Sequence, residues 1–488
     1  MKKLVVLLII IAATTTAIAQ NEVDALRFTR FQYGGTARSM GMGGAYGALG
    51  ADFSSLSTNP AGMALYKRSE ISFTPSFLSN KVSSTFNVNF FSDDSKSSFN
   101  IGNIGAVLVM ENPDSKTNSD WKNFQFGFGY NRLANYNSNY FIEGTNSKTS
   151  LLGLYVNWAN GVAPGNLGAD GAFDTQLAYN DSLIYVKNKN GNIYSADILD
   201  MATFPGVHQT KTVSTTGYLG ETVFAGSANY QDRIYFGASL GVVALKYEES
   251  ATYTENDNGN KIPIFNYLNK FDHQIIKGTG INLKLGIIVR AMDWLRLGAA
   301  VHTPTLYSKL NIDYYSTMSS TFDNGFKADA TSPLGQYTFD MTTPLKLIGS
   351  AAFIIGKSGL ISADYEMVDY TKARLRPTAD FTSANQRIQD KYKSTSNIRI
   401  GGEYRFGQIS FRGGYGLFGS PYNSNVNNGK ANLASLGIGY RTQDYFVDCA
   451  FTSYSMTEDY YLYGVDAANK ASLKTTNNTF MVSVGVKF

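Results

Sequence analysis

The sequence predicts an all-β protein, a transmembrane antiparallel β-barrel of about fourteen strands with an N-terminal plug in its lumen. Three observations carry this prediction. The chain ends in an alternating segment, Thr479–Phe488, that has one wholly apolar face. The same alternation returns along the chain in pairs of segments joined by tight turns. A glycine-dense stretch at residues 34–65 precedes them all and has no regular period.

Residues 1–19 have the pattern of a secretory signal peptide. Lys2 and Lys3 form the charged start, Leu4–Ile11 is the apolar core, and a run of small residues allows cleavage after Ala19. The apolar core is too short to span a bilayer. The residue directly after the cleavage site is Gln20 rather than a cysteine, which argues against an acylated lipoprotein. We therefore expect an exported chain that begins at Gln20.

Composition narrows the class of exported protein. The 488 residues include 32 Tyr, 31 Phe and 47 Gly, and only 16% are charged. This composition is typical of outer-membrane barrels, whose aromatic girdles mark both membrane interfaces. A secreted array of β-sandwiches is the alternative. The single cysteine, Cys449, cannot form an internal disulfide, and a net charge of +4 favours no nucleic-acid partner.

Residues 20–68 are predicted to form the plug. The glycines at positions 34–50 make the backbone permissive, and a turn follows near residue 60. Every later segment alternates like a sheet, so this stretch has the character of an insert around which a sheet closes. An irregular arm that lies on another surface is the alternative. The predicted turn consists of Asn59, Pro60, Ala61 and Gly62.

The last segment shows what the predicted barrel strands share. One face carries only apolar side chains, whereas the other carries polar or small residues. This pattern and length suit a tilted strand that crosses a bilayer with its apolar face toward lipid. One such strand could also be the edge of a soluble sandwich, so the prediction depends on recurrence. The apolar face consists of Phe480, Val482, Val484, Val486 and Phe488.

The pattern recurs with charges on the second face. Arg399, Glu403 and Arg405 alternate with Ile, Gly and aromatic residues. In a soluble sheet the charged face would be the outside, but here the opposite face is almost wholly apolar over many hairpins. A lipid-facing band around a polar lumen explains this, because backbone groups in lipid are all paired only if the sheet closes. Such segments are 281–290, 295–302, 398–406 and 409–415.

Short and long connections alternate between the predicted strands, which indicates short periplasmic turns and long outer loops, with both termini periplasmic. The barrel domain is predicted to cover residues 69–488. Its strands are expected near 70–90, 99–110, 122–143, 214–229, 233–248, 274–290, 294–313, 336–356, 359–376, 393–406, 408–418, 432–442, 445–456 and 478–488.

The longest predicted connection, residues 144–213, contains an apolar cluster. As part of an outer loop, this cluster is either a packed cap or an apolar landing surface for a ligand. The cluster consists of Leu151, Leu152, Leu154, Tyr155, Trp158 and Val162.

Several patterns that resemble enzyme motifs have structural explanations. Gly237–Gly241 matches the G-x-S-x-G pattern but lies within an alternating strand rather than a strand–turn–helix elbow. The three histidines, His208, His273 and His302, lack metal-ligand spacing. Asp364 and Glu366 share a strand face, and we expect lumenal arginines to balance them. We predict no enzyme activity, no cofactor and no metal.

The lumenal cations have two interpretations. The structural one is that they pair with lumenal carboxylates or hold the plug through its backbone carbonyls. The functional one is that one or two of them bind a ligand's anionic head group; Arg399 and Arg405 are the candidates. The set consists of Arg290, Arg296, Lys346, Arg399, Arg405 and Arg412.

Several motifs, taken in order, resemble the long-chain fatty-acid and toluene transporter family (FadL/TodX-like). The plug motifs Gly41–Ala45 and Asn59–Gly62 resemble that family's hatch. The family implies a fourteen-stranded barrel whose lumenal hatch controls passage of hydrophobic compounds across the bacterial outer membrane. The later motifs are Leu295–Ala300, Thr343–Leu347, Ser362–Glu366, Ile398–Arg405, Arg412–Gly416 and Ser420–Pro421.

The third predicted strand is interrupted. Its apolar alternation ends at Tyr130, and the polar residues that follow include Asn131 and Arg132, with the small Ala134 among them. The family has a kinked third strand there, so the resemblance implies a lateral exit for cargo. The alternative explanation is that the interruption marks the edge of the membrane.

The first functional hypothesis is a monomer that binds hydrophobic small molecules or lipids. The second is a barrel for protein secretion or surface assembly, and the third is an outer-membrane hydrolase.

Overall fold

The computed structural model describes residues 22–30, 34–87, 90–112, 119–169, 173–424, 426–464 and 467–488. The predicted signal peptide lies outside these residues. None of the helices in the described ranges combines the length and the apolar character needed to cross a membrane.

The dominant element is a closed antiparallel barrel of 14 strands, as predicted, in which the last strand pairs with the first. Some barrel strands consist of two or more consecutive segments separated by a short break. The β-segments are β1 (Glu70–Phe86), β2 (Phe90–Glu111), β3 (Trp121–Asn135), β4 (Ser138–Asn146), β5 (Tyr185–Asn188), β6 (Ile193–Ser195), β7 (Val207–Tyr230), β8 (Ile234–Asn256), β9 (Phe265–Met292), β10 (Leu295–His302), β11 (Leu306–Phe322), β12 (Lys327–Thr331), β13 (Gly335–Thr342), β14 (Lys346–Ile355), β15 (Gly359–Asp369), β16 (Arg374–Arg376), β17 (Ser394–Phe406), β18 (Ile409–Phe418), β19 (Ala431–Arg441), β20 (Tyr445–Tyr461) and β21 (Lys470–Lys487). Of these, β5 and β6 pair only with each other, in a separate two-stranded sheet.

The predicted alternation is present in the barrel wall. In β21, Val484 and Phe480 are exposed on the outer face, whereas Ser483 and Met481 are buried on the inner face. The outer faces of the other strands are also apolar near the short-turn end. An outward apolar band around a polar interior is the arrangement that a bilayer-spanning barrel requires.

Several predicted strand ends are wrong because the strands continue beyond the apolar band. β8 continues to Asn256, and β9 begins already at Phe265. The connection between them, predicted at residues 249–273, is therefore only residues 257–264. Polar pairs such as Glu249 and Gln274 extend the ladder. Pairing depends on backbone groups, which a polar outer face leaves undisturbed, whereas the prediction relied on apolar side chains.

The described part of the chain contains five α-helices besides the barrel strands. The insertion between β4 and β7, which was predicted as the 144–213 loop, contains α3, α4 and the β5–β6 hairpin. It packs Leu152 and Tyr155 against Phe265 and Met318 of the barrel wall. Its apolar residues therefore form largely a packed cap, although Trp158 remains exposed. The helices are α1 (Glu22–Arg27), α2 (Ala37–Gly41), α3 (Leu151–Ala159), α4 (Phe173–Asn180) and α5 (Thr382–Lys391).

The prediction that both termini lie at the short-turn end is wrong for the first described residues. Glu22 of α1 pairs with Arg387 and Lys391 of α5, at 2.8 and 2.6 Å. The helix α5 belongs to the long connection between β16 and β17, at the opposite end of the barrel. The described residues therefore begin at the loop end with Glu22 and reach the short-turn end before β1. The sequence carried no signal for this, because the pairing joins residues far apart in the chain.

Candidate functional site in the barrel lumen

The segment from Gly34 to Arg68 contains short helical turns with side-chain caps. Thr36 caps α2, and Asp52 caps a 3₁₀ helix at Phe53–Leu56. Asn59 accepts a hydrogen bond from the N–H of Ala61 and caps a second 3₁₀ helix, Pro60–Leu65. The predicted Asn59–Gly62 turn is thus the start of this helix, because proline suits the first helical turn.

The backbone of this segment lies in direct contact with the backbone of the barrel wall. Gly43 has a φ of +67°, and a Cβ built on it would lie 3.1 Å from the backbone nitrogen of Tyr415. A Cβ on Gly414 would lie 2.2 Å from the Gly43 nitrogen. Only glycine permits both this conformation and this approach.

Carboxylates of the wall hold the segment through charged contacts. Glu403 accepts hydrogen bonds from Arg38 of the segment at 3.1 Å and from Arg412 of β18 at 2.7 Å. Arg412 also pairs with Asp448 of β20 at 2.7 Å. Charge-assisted bonds of this kind are stronger than neutral ones. They join the segment to two adjacent strands through one acid.

A second carboxylate holds the segment by its backbone. Asp364 accepts hydrogen bonds from the N–H groups of Tyr46 and Gly47, at 3.0 and 3.1 Å. Arg399 lies 3.9 Å from Asp364 and 3.4 Å from Glu366. These contacts correspond to the structural interpretation of Arg399, which balances two buried acids beside the segment.

Sequence reasoning missed a third anchor, Glu221 of β7. It is fully buried, pairs with Lys284 of β9, and accepts a hydrogen bond from Ser57 of the segment at 2.7 Å. Nearby, Nε2 of His302 lies 2.6 Å from the Thr58 carbonyl oxygen. An acid on the inner face of a strand was the available signal, but its partners are distant in the sequence.

The remaining candidate residues lie in different parts of the barrel. Arg405 lies beside a short turn, with its side chain 45% exposed, and pairs with Glu403 at 3.3 Å. Asn131 is buried and donates a hydrogen bond to Ser57 at 2.8 Å. The guanidinium of Arg132 lies over the Tyr218 ring, and Ala134 is half-buried. The structure therefore brings Asn131 to the segment and leaves Arg405 at the rim.

The ladder between β2 and β3 stops part-way along these strands. Its last pair is Asn103 with Asn131, although β2 continues along β1 toward Phe90. On the other side of β3, the register with β7 shifts between Arg132 and Ala134. The break at residues 136–137 then separates β3 from β4. The predicted interruption is thus the place where the wall loses one of its ladders.

An apolar cluster fills the lumen beside this break. Phe28, which follows α1, makes edge contacts with Tyr136 and Tyr247, with ring centroids 6.0 Å apart in each pair. Leu133 belongs to the same cluster, and Ala134 packs against it. The cluster continues through β11, β13 and α5. An apolar interior therefore reaches the wall where the ladder is missing.

The enzyme-like pattern has a structural role in this interior. Gly237–Gly241 lies within β8, and Ser239 donates a hydrogen bond to the Leu56 carbonyl at 2.8 Å. A nucleophile elbow would need a turn there. Within the described part of the chain, no three His, Cys, Asp or Glu residues are grouped as metal ligands would be.

Comparisons with known proteins point to one fold. No protein-family model matches the chain, and no curated protein does. Among solved structures, a FadL homologue of Pseudomonas aeruginosa has a TM-score of 0.55 at 13% identity, over 94% of this chain and 99% of that one. The toluene transporter TodX of P. putida gives 0.54 at 13%, over 94% and 99%. The toluene transporter TbuX of Ralstonia pickettii gives 0.50 at 14%, over 93% and 98%. This chain therefore has the fold of the FadL- and TodX-like barrels.

Proposed function

We propose that the protein is an outer-membrane channel for hydrophobic or amphipathic small molecules. The observation that carries this proposal is the apolar lumenal cluster around Phe28, Leu133 and Tyr136, which ends at the break in the β2–β3 ladder. The solved structures of similar fold are transporters of toluene and a FadL homologue, which supports the same class of cargo.

In this proposal, residues 20–68 act as a hatch. The anchors at Glu403, Asp364 and Glu221 hold the segment from three sides of the lumen. Apolar side chains such as Phe53, Leu56 and Met63 also pack against the wall. Exchange of the polar anchors would let the segment shift within this packing. Cargo would then pass from the loop end toward the break without an open aqueous pore.

The cargo would leave sideways into the bilayer. Exposing the apolar surface of the cargo to water would cost a free energy of roughly 25 cal/mol per Å². A sideways exit avoids this cost, because the surface passes directly into lipid. Gly34 of the hatch lies directly against the break, since a Cβ on it would stand 2.2 Å from the Arg132 carbonyl oxygen. This proximity supports a coupling between the hatch and cargo at the break.

Filling the gap tests this route. We expect Ala134→Trp to reduce uptake of a fluorescent hydrophobic probe into proteoliposomes, because the indole would block passage at the break in the β2–β3 ladder. The matched control is Ala228→Trp in β7, a strand paired on both sides at that position. Both variants should show the heat-modifiable gel mobility of a folded barrel. Normal uptake by a folded Ala134→Trp variant would exclude the lateral route, and no uptake by the unmodified protein would favour a secretion or assembly role.

A further inference from the structure

Three lysines lie together on the outer surface of the barrel, just beyond the apolar band. Lys246 of β8 and Lys277 of β9 are directly opposite each other in the ladder. The ladder between β9 and β11 shifts register between Ser308 and Asn311, and Asn311 pairs with Lys277, so Lys309 lies beside them. We name these three lysines the basic patch.

The height of the patch relates it to the membrane surface. The last strongly exposed apolar side chains on the same strands are Val242, Ile281 and Leu306. The lysines follow within four residues of these positions, on the side of the long loops. Lysine side chains at this height can lay their methylene groups on the apolar band and hold the ammonium at the level of lipid head groups.

Two features of the patch cost stability in the absence of a partner. Like charges directly opposite each other in a ladder repel. Lys309 has a φ of +55°, an unfavourable conformation for a residue with a Cβ. The bulge at this position leaves Ser308 and Lys309 both exposed. The strained backbone thus adds a third cation to a pair that is already repulsive.

Acids near the patch leave an excess of positive charge. Glu248 pairs with Lys246 at 3.1 Å. Asp340 accepts a hydrogen bond from the Lys309 backbone at 2.8 Å and faces Arg376 across the β13–β16 ladder. Among the described residues, neither Lys277 nor Lys309 has a side-chain ion pair.

We propose that Lys246, Lys277 and Lys309 bind the phosphate groups of an outer-leaflet glycolipid. This inference rests on the proposed outer-membrane location, which places the loop end, and therefore the patch, in the outer leaflet. A phosphorylated lipid head group supplies the missing negative charge at the height where the lysines lie. Its acyl chains cover the apolar side chains below.

Binding of lipid A to the purified full-length protein in detergent tests the proposal. The variant is Lys277→Gln with Lys309→Gln, and the matched control is Lys81→Gln with Lys474→Gln, two outer-surface lysines of β1 and β21. We expect the affinity for bisphosphorylated lipid A to fall about fivefold for each lysine removed from the patch. The control variant and the unmodified protein should bind equally, and dephosphorylated lipid A should bind weakly to all three.

Equal binding of lipid A by the patch variant and the unmodified protein would overturn the proposal. So would an equal loss in both double variants, or equal binding of dephosphorylated lipid A. Binding of an acidic protein without binding of lipid A would assign the patch to a different partner and overturn it too. Because these binding measurements involve no transport, a negative result would not contradict the channel proposal. An absence of uptake alone would likewise not contradict lipid binding by the basic patch.

Discussion

At the residue scale, three inward acids contact both the N-terminal segment and the barrel wall, whereas outward side chains of the apolar band face lipid. Glu403, Asp364 and Glu221 each contact the N-terminal segment and at least one cation of the wall. On the outer face, the side chains of Val484 and Phe480 carry no hydrogen-bonding groups, so contact with lipid leaves no polar group unpaired. The two faces alternate along one strand, so a single substitution tests which side a residue occupies.

An arginine at Val484 should destabilise the barrel. Val484 lies on the outer face of β21, and moving a guanidinium into the apolar band costs about 2–4 kcal/mol near the bilayer midplane. Equilibrium unfolding in urea, in vesicles, measures the difference in free energy of unfolding. The control is Asn478→Arg, on the same face of β21 but beyond the apolar side chains. Equal costs for both variants would mean that the band is misplaced.

At the element scale, the N-terminal segment is held by contacts distributed around the lumen. Its α2 lies against β18, β19, β20 and β21, and its second 3₁₀ helix lies against β3, β7, β8 and β9. The barrel strands, in contrast, are joined by backbone ladders, interrupted beside the break after Asn131. The barrel should therefore fold without the segment, and the segment should decide whether the lumen conducts.

Deletion of residues 34–64 should leave a folded barrel with raised conductance. The acids that the segment contacts would then face a water-filled lumen and be hydrated there. Planar-bilayer recordings measure the conductance. Asp364→Asn is a milder variant that loses the carboxylate for Tyr46 and Gly47, and Asp340→Asn on the outer face is its matched control. If the deletion variant conducts no more than the full chain, the segment does not close the lumen.

At the scale of the whole molecule, different structures occupy the two ends of the barrel. The short-turn end contains the polar anchors of the N-terminal segment. The loop end carries the packed cap of α3, α4 and the β5–β6 hairpin, with a hydrophobic core that it shares with the barrel wall. Passage through the molecule then requires the cap or its borders to open, so the stability of the cap should affect uptake.

The cap should open more readily as the pH rises. Asp181, which follows α4, is fully buried, and burial together with the charge of Asp329 raises the pKa of its carboxyl from 3.8 to about 7. Between these values the folded cap holds a proton that the unfolded segment has released. The free energy of unfolding of the cap therefore falls as the pH rises from about 4 to about 7.

Hydrogen exchange of residues 173–184 checks this, with rates corrected for intrinsic pH dependence. Protection should be lower at pH 8 than at pH 5 in the unmodified protein and independent of pH in Asp181→Asn. Segment 398–406 of the wall is the internal control and should keep its protection in both. The same loss of protection in Asp181→Asn would assign the pH dependence to another group.

The sequence by itself determined the barrel, because its outward face repeats every second residue and that period is local. The terminal strand, the charged inner face at Arg399 and Glu403, and the interruption after Tyr130 are each visible within a few consecutive residues. The glycine-dense segment was recognisable for the same reason. Local pattern also sufficed to place Asn59–Gly62 at a turn.

Only the tertiary structure decided which partners meet. The pairs of Glu22 with Lys391, of Glu221 with Ser57 and of Lys246 with Lys277 join residues that no sequence period relates. The strands continue past the apolar band, because backbone hydrogen bonds require no particular side chain. The helix α1 lies at the loop end because buried charges require partners, and the partners of Glu22 are located there.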